Sequence, residues 1–187
     1  MAHQGDAGIE TLLAERSIER VILRYCRGVD RMDRELVRSC YHAGATDSHG
    51  SFTGTVDEYL VWVWRVLARY SVTMHFLGNV LIELDPGHPD RARAETYGIA
   101  IHRTDGGPPA GNLTTGFRYV DDFARHPADP GGPAEWRIER RVATTEWVRV
   151  DQLEDHWPIP VGMLQGSRDR NDPVYWPLIE PSRPQRQ

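Results

Sequence analysis

Two residues, Asp30 and His75, have side chains suited to general-base chemistry and lie in different predicted elements. Asp30 stands where a long amphipathic helix ends, and His75 stands near the start of an apolar strand, in the stretch Thr73–Asn79. A carboxylate that accepts the proton on one imidazole nitrogen fixes the tautomer and leaves the other nitrogen free to act as a base. We therefore predict that Asp30 and His75 meet inside one pocket.

Helical periodicity dominates the first part of the chain. A helix is predicted over Ile9–Val29, where apolar residues recur at helical spacing: Ile18, Val21, Ile22, Tyr25 and Val29. A short second helix, Arg34–Cys40, follows Asp33, which can cap it. A third helix is predicted over Val56–Tyr70, because Thr55 and the glutamate three residues later form a capping-box pattern. Its apolar positions form a broad stripe: Tyr59, Leu60, Val63, Trp64 and Leu67.

Beyond Tyr70 the hydrophobic period changes to two, which is typical of strands. The predicted strands are joined by short loops and cover Val72–Leu84, Arg91–Arg103, Leu113–Phe123 and Glu135–Val150. This spacing predicts an antiparallel meander, with one more short strand and turn at Asp47–Phe52. In the second long strand, Ala92, Ala94, Thr96, Gly98 and Ala100 share one face, while Glu95, Tyr97, Ile99 and Ile101 share the other. Helices that precede a sheet indicate the α+β class.

Composition excludes several classes of function. All 22 basic residues are arginine, so a Schiff-base lysine and a Walker-type phosphate lysine are excluded. The net charge of −5 argues against nucleic-acid binding. The histidines and the two cysteines lack metal-ligand spacing, and no glycine-rich phosphate loop is present. No apolar run is long enough to span a membrane, and the N-terminus lacks signal-peptide features, so we expect a cytoplasmic protein with no metal and no cofactor.

Several motifs together resemble the SnoaL-like group of the cone-shaped α+β superfamily that includes nuclear transport factor 2. The motifs occur in the family's order: Tyr25–Asp30 with Asp33, Phe52–Gly54, His75–Asn79, Phe117–Asp121, and Trp136–Arg141 followed by Glu146 and Trp147. The resemblance covers roughly residues 9–150. It implies three N-terminal helices packed in a strongly curved antiparallel sheet that encloses a deep pocket. The domain would span residues 1–151, and residues 152–187 would form an ordered C-terminal tail.

Within that superfamily, the pair Asp30 and His75 resembles the catalytic dyad of scytalone dehydratase, lindane dehydrochlorinase and bile acid 7α-dehydratase. The resemblance implies Tyr25 and Arg141 as further catalytic residues. The substrate-binding residues predicted with them are His49, Tyr97, Trp64 and Tyr41. Some dehydratases place a second polar group on the second long strand, where the stretch Tyr97–Ala100 offers only Tyr97.

The function implied is a cofactor-independent elimination on a cyclic or polycyclic apolar substrate, such as a steroid or polyketide. Two alternatives remain open: an isomerase or cyclase that uses the same base, and a ligand-binding module without catalysis. A homo-oligomer, most simply a trimer, is expected. The tail stretch Gly166–Trp176 is predicted to close over the pocket as a lid, because Tyr175 and Trp176 offer flat apolar surface, or to form a subunit interface.

Overall fold

The computed structural model describes residues 4–104, 111–127, 131–152 and 159–177, with side chains from residue 8 onward. The helices are α1 (Gln4–Asp30), α2 (Arg34–Ser39) and α3 (Val56–Leu67). The strands are β1 (Tyr41–His49), β2 (Phe52–Thr55), β3 (Val72–Asp85), β4 (His88–Thr104), β5 (Gly111–Pro127) and β6 (Ala134–Gln152). The α+β class is confirmed, since the three helices pack against a single sheet.

The sheet has six strands in the order β2-β1-β6-β5-β4-β3. The predicted antiparallel meander is confirmed for β3 to β6, whose neighbours are all antiparallel. However, β1 runs parallel to β6, so the sheet is mixed rather than wholly antiparallel. The sheet is also not closed into a barrel, because β2 and β3 remain as its two edges.

The sequence underestimated β1. Only its last residues were predicted as a strand, because Tyr41–His49 has no clean alternation. The cause is local: Gly44 has a φ of 77°, and the register with β6 shifts between Tyr41 and Thr46. Such a bulge interrupts the period of two that identifies a strand.

The predicted buried faces of α1 and β4 are confirmed. The core contains the predicted apolar residues of α1, all at most 2% exposed: Ile18, Val21, Ile22, Tyr25 and Val29. On β4, the small residues Ala92, Ala94 and Ala100 are buried on the inner face, whereas Tyr97 and Ile99 are exposed on the outer face. Small side chains leave room between sheet and helices. No helix among the described residues combines the length and apolarity needed to cross a membrane.

The chain makes a tight turn directly after Asp30, the last residue of α1. The Asp33 backbone N–H donates to the carbonyl of Gly28 at 2.8 Å, which closes the turn after Asp30. A Cβ on Gly28 would lie 2.5 Å from Val37 Cγ2, so only glycine allows α2 to approach this closely. The predicted caps are present: Asp33 caps α2, and Thr55 forms a capping box at the start of α3.

Candidate active site

Asp30 and His75 are in direct contact. His75 Nδ1 lies 2.6 Å from Asp30 Oδ1, and the backbone N–H of His75 donates to Asp30 Oδ2 at 3.0 Å. The side chain of His75 is 7% exposed and that of Asp30 is 13% exposed. Because an ionised carboxylate can only accept, the nitrogen that faces it must carry the proton. Neutral His75 therefore holds its proton on Nδ1 and has Nε2 free as a base.

His75 lines a cavity of about 190 Å³ between the inner face of the sheet and the helices α1 and α3. Its walls are largely apolar, formed by side chains that include Val29, Val63, Leu67, Ala100, Leu113 and Phe117. Two more histidines, His49 and His102, line the same space. The cavity therefore combines apolar walls with a few polar groups, as small-molecule sites do.

His102 was not recognised as a site residue. It stacks on Tyr70 with ring centroids 4.7 Å apart and meets the His75 ring edge-on at 5.8 Å. It supplies the polar group on the second long strand for which Tyr97 had been considered. The alternation from Ala92 through Ala100 could have identified it, because His102 is the next residue on the same inner face.

Burial, and next the nearby His75, lower the pKa of His102 from 6.5 to about 4. His102 is therefore neutral near pH 7 and can donate a hydrogen bond from its one N–H.

The low pKa of His102 predicts a loss of stability in mild acid. Between pH 6.5 and pH 4 the unfolded chain binds a proton that folded His102 does not, so the free energy of unfolding falls as pH falls. At pH 5 this amounts to about 2 kcal/mol, from the ordinary pKa and the shifted pKa of about 4. Urea unfolding at pH 7 and pH 5 should show a smaller drop in His102→Gln than in the wild type. The exposed His88→Gln serves as control, and an equal drop in all three proteins would contradict the assignment.

Two tyrosine hydroxyls meet at the base of the cavity. Tyr25 and Tyr59 line the cavity, and their hydroxyls share a short hydrogen bond. Burial raises the pKa of both phenols, so both stay protonated at neutral pH. A protonated phenol can donate to a developing oxyanion. Tyr59 was expected only as an apolar position of the third helix, since its spacing does not distinguish a packed ring from a functional hydroxyl.

His49 lies near a second carboxylate, that of Asp47. Its Nδ1 is 3.5 Å from Asp47 Oδ1, and its ring stacks on Tyr59 at 5.6 Å. The fully buried Tyr41 donates from its hydroxyl to Asp47 Oδ2 at 2.6 Å. His49 is thus a cavity residue. Tyr41 does not line the cavity and instead orients Asp47 from behind.

Arg141 lies beneath the cavity, not in its wall. Its guanidinium is fully buried and makes a bidentate contact with Asp121, at 2.7 and 2.6 Å. The rings of Tyr25 and Tyr119 lie on it, with centroids 3.9 and 4.0 Å from the guanidinium carbon. These two rings lie between Arg141 and the cavity. Arg141 therefore does not have the direct access to a substrate that was expected of it, and it instead supports Tyr25 from below. Its carboxylate partner is Asp121, whereas Glu139 pairs with His126 and Glu146 with Arg118.

Tyr97 and Trp64 also lie outside the cavity. Tyr97 is 44% exposed on the outer face of the sheet, next to the Arg118 guanidinium. Trp64 packs against the core, but the side of α3 that faces the cavity carries Trp62 and Val66 instead. The alternation of β4 already separated Tyr97 from Ala100. For α3, the sequence identified the apolar stripe but not its orientation toward the sheet.

The described part of the tail does not line the cavity. Tyr175 donates from its hydroxyl to Asp33 Oδ2 at 3.1 Å, and Trp176 Nε1 donates to the carbonyl of Asn171. Both aromatic residues are therefore engaged on the turn between α1 and α2 or within the tail itself. In this structure neither ring lines the cavity, because the segment packs behind the Asp30 turn.

An α+β fold with a buried imidazole–carboxylate pair in an apolar cavity is an arrangement suited to small-molecule chemistry. The model of the SnoaL-like domain matches residues 10–142. The chain belongs to the SnoaL-like family. No curated protein matches it.

Several solved structures with the same fold carry the names of enzymes. A hexachlorocyclohexane dehydrochlorinase (LinA) of type 2 is 14% identical, with a TM-score of 0.69 over 83% of this chain and 99% of that one. A scytalone dehydratase candidate from Novosphingobium aromaticivorans DSM 12444 is 20% identical, with a TM-score of 0.64 over 84% and 99%. The Kfla4162 protein from Kribbella flavida is 17% identical, with a TM-score of 0.64 over 74% and 95%. At these identities the likeness establishes the fold.

Proposed function

We propose that this protein is a cofactor-independent lyase that removes a proton from a small cyclic substrate and expels a neighbouring leaving group. The observation that carries the proposal is the contact of His75 with Asp30 at the wall of an apolar cavity. The names of the similar dehydratase and dehydrochlorinase support the reaction class. A carboxylate with both oxygens committed to one histidine has a defined orientation, which general-base catalysis requires.

In the proposed reaction, Nε2 of His75 takes a proton from a substrate carbon that lies next to a carbonyl or to the leaving group. The imidazolium that forms is stabilised by the Asp30 carboxylate, whose Oδ1 continues to accept the hydrogen bond from Nδ1 of His75. A substrate bound against the apolar walls would displace water and strengthen this attraction. General-base catalysis of this kind contributes ~10²–10⁴-fold.

Negative charge that develops on the substrate needs donors on another side of the cavity. Tyr25 and Tyr59 use one hydroxyl proton in their mutual hydrogen bond, so the other hydroxyl proton is free to donate to an oxyanion. His102, neutral and close to His75, can donate from its N–H to a departing hydroxyl or chloride. His49 can bind a further polar group of the substrate. These roles replace the one first considered for Arg141.

The size of the cavity limits the substrate. A cavity of about 190 Å³ is close to the ~150 Å³ that accommodates benzene and below the ~300–1,000 Å³ of pockets for drug-sized molecules. We therefore propose a single-ring substrate in place of the steroid or polyketide that the resemblance suggested. An isomerase or cyclase stays as the alternative, because the tyrosine pair can hold an enolate oxygen without any leaving group.

The experiment is an assay of purified protein on three single-ring probes: a 3-hydroxycyclohexanone, 3-cyclohexenone and a chlorinated cyclohexane. Loss of water or HCl supports the lyase, and migration of the double bond without elimination supports the isomerase. Saturable binding of the probes without any turnover would support a ligand-binding module and reject the enzyme. His75→Ala should abolish turnover. The control is His88→Ala, which replaces an exposed histidine at the start of β4.

We also propose that the protein assembles as a homotrimer through the outer face of the sheet. Phe76 and Ile99 are paired across β3 and β4 and are both exposed, as is Met74 beside them. On the neighbouring strands, Trp147 covers Gly116, which leaves no space for a side chain there. A contiguous exposed apolar face of this kind indicates an interface, and other copies of the chain are its proposed occupants.

Phe76→Glu should release monomers from this assembly, because a buried unpaired carboxylate opposes association. Light scattering should give three times the mass of one chain for the wild type and one chain mass for the variant. Leu12→Glu, at an exposed apolar position of α1, should keep the trimer. A monomeric wild type, or a variant that stays trimeric, would reject this interface.

A further inference from the structure

The tail is anchored to the turn that carries Asp30 by a buried carboxylate. Asp172 is 4% exposed and accepts from the backbone N–H groups of Ser167 and Val174, both at 3.0 Å. It also forms an ion pair with Arg31, at 3.1 Å, one residue after Asp30. A second ion pair, Arg170 with Asp33, joins the same two segments. These contacts give residues 166–176, here called the strap, a fixed position behind the candidate dyad.

One strap residue reaches further inward. The Arg168 guanidinium donates from Nη1 to the carbonyl of Leu67 at 2.9 Å and, through a short hydrogen bond, to the carbonyl of Tyr70. From Nε it donates to the carbonyl of Asp30 at 3.4 Å. A single cation thus satisfies backbone acceptors at the C-terminal ends of both α1 and α3, where cations are favoured by the helix dipole.

The three residues that accept from Arg168 all belong to the candidate site. Asp30 supplies the carboxylate, and Leu67 and Tyr70 line the cavity. Tyr70 in turn stacks on His102. The charge of Arg168 also interacts favourably with the Asp30 carboxylate. Displacement of this one side chain would therefore loosen both the carboxylate and the opposite wall.

We propose that Arg168 is a positioning residue that keeps the Asp30 carboxylate within hydrogen-bond distance of His75. It acts from the tail, through backbone carbonyls, and touches no substrate. This inference deepens the proposed function, because it assigns to the strap the geometry of the proposed base. It also replaces the expected lid, since the described strap secures the site from behind.

The test is a proton NMR measurement on the free protein, which needs no substrate. The Nδ1 proton of His75, bonded to Asp30, should give a resolved downfield signal that exchanges slowly with water. In Arg168→Ala this exchange should be about tenfold faster, the effect of losing one hydrogen bond to a charged group. Arg168→Lys should show a smaller change, because its ammonium keeps the positive charge but lacks the planar fork with which the guanidinium donates to all three carbonyls. Arg170→Ala is the control: it removes an ion pair whose arginine is exposed, which contributes only about 0–1 kcal/mol, so the exchange should stay close to that of the wild type.

The outcomes separate positioning from mere stability. If Arg168→Ala lowers the melting temperature but leaves the exchange of the His75 proton unchanged, the residue is structural only and the proposal is rejected. Equal effects of Arg168→Ala and Arg170→Ala would reject it too. If Arg168→Ala does not fold, Arg168→Lys decides in the same way. Faster exchange without turnover on any probe would uphold the positioning role while rejecting the lyase, and where turnover exists kcat should fall with KM nearly unchanged.

Discussion

Asp30→Asn is expected to reduce catalysis by ~10⁴-fold, the size of loss known for the corresponding change in a Ser-His-Asp triad, with little loss of stability. The reason is the double contact with His75. The backbone N–H of His75 can only donate, so the asparagine must turn its oxygen toward it. Its amide NH2 then faces Nδ1 and donates to it. His75 is thereby forced into the tautomer with the proton on Nε2, and the base is lost.

Nitrogen-15 NMR of His75 should detect this change of tautomer at neutral pH, and the assay should show the loss of turnover. A matched control exists on the surface, where His88 Nδ1 lies 3.1 Å from Asp85 Oδ2 in an exposed pair. Asp85→Asn should change neither turnover nor the His75 tautomer. An Asp30→Asn protein that keeps the Nδ1 proton and wild-type turnover would show that Asp30 does not direct the base.

The second large effect concerns stability. Arg141→Leu should lower the free energy of unfolding by about 3–5 kcal/mol, the usual cost of removing one partner of a buried ion pair. It leaves the Asp121 carboxylate fully buried without its cation. It also removes the guanidinium on which Tyr25 and Tyr119 pack.

Arg140→Leu is the matched control, since Arg140 precedes Arg141 on β6 but is half exposed in its pair with Asp122. An exposed pair contributes about 0–1 kcal/mol. Urea unfolding of both variants gives the comparison. Replacement of both partners, Arg141→Leu with Asp121→Leu, should recover part of the loss because no charge is then left unpaired. Equal costs for Arg141→Leu and Arg140→Leu would contradict the structural role of Arg141.

Local pattern was enough to predict the elements that hold the site. The helical spacing from Ile18 to Val29 predicted the buried face of α1, and the alternation of β4 predicted which residues face the helices. The pairing of Asp30 with His75 had a different origin. The two residues are 45 positions apart, so no local pattern links them. Their side-chain types suggested an imidazole–carboxylate pair, and the family resemblance supported it.

The missed features depend on orientation and on long-range contact. The apolar stripe of α3 did not indicate which of its edges faces the cavity. Trp64 was therefore predicted to line the cavity, whereas Trp62 does so. Arg141 could have faced either side of β6 until its contact with Asp121 was known. Arg168 reaches the carbonyl of Leu67 from a position 101 residues later, in a stretch without periodicity. Because the acceptors are backbone carbonyls, the pattern of side-chain types in the sequence does not reveal these contacts.

The most direct test of the central claim is hydrogen exchange on a substrate-sized ketone, because elimination and isomerisation both begin with the same proton abstraction. Cyclohexanone in D2O, followed by proton NMR, reports the loss of its acidic C–H. The wild-type protein should accelerate this exchange over buffer, and His75→Ala should reduce the enzymatic rate by ~10²–10⁴-fold, while His88→Ala leaves it unchanged. Exchange by His75→Ala at the wild-type rate would show that His75 is not the base.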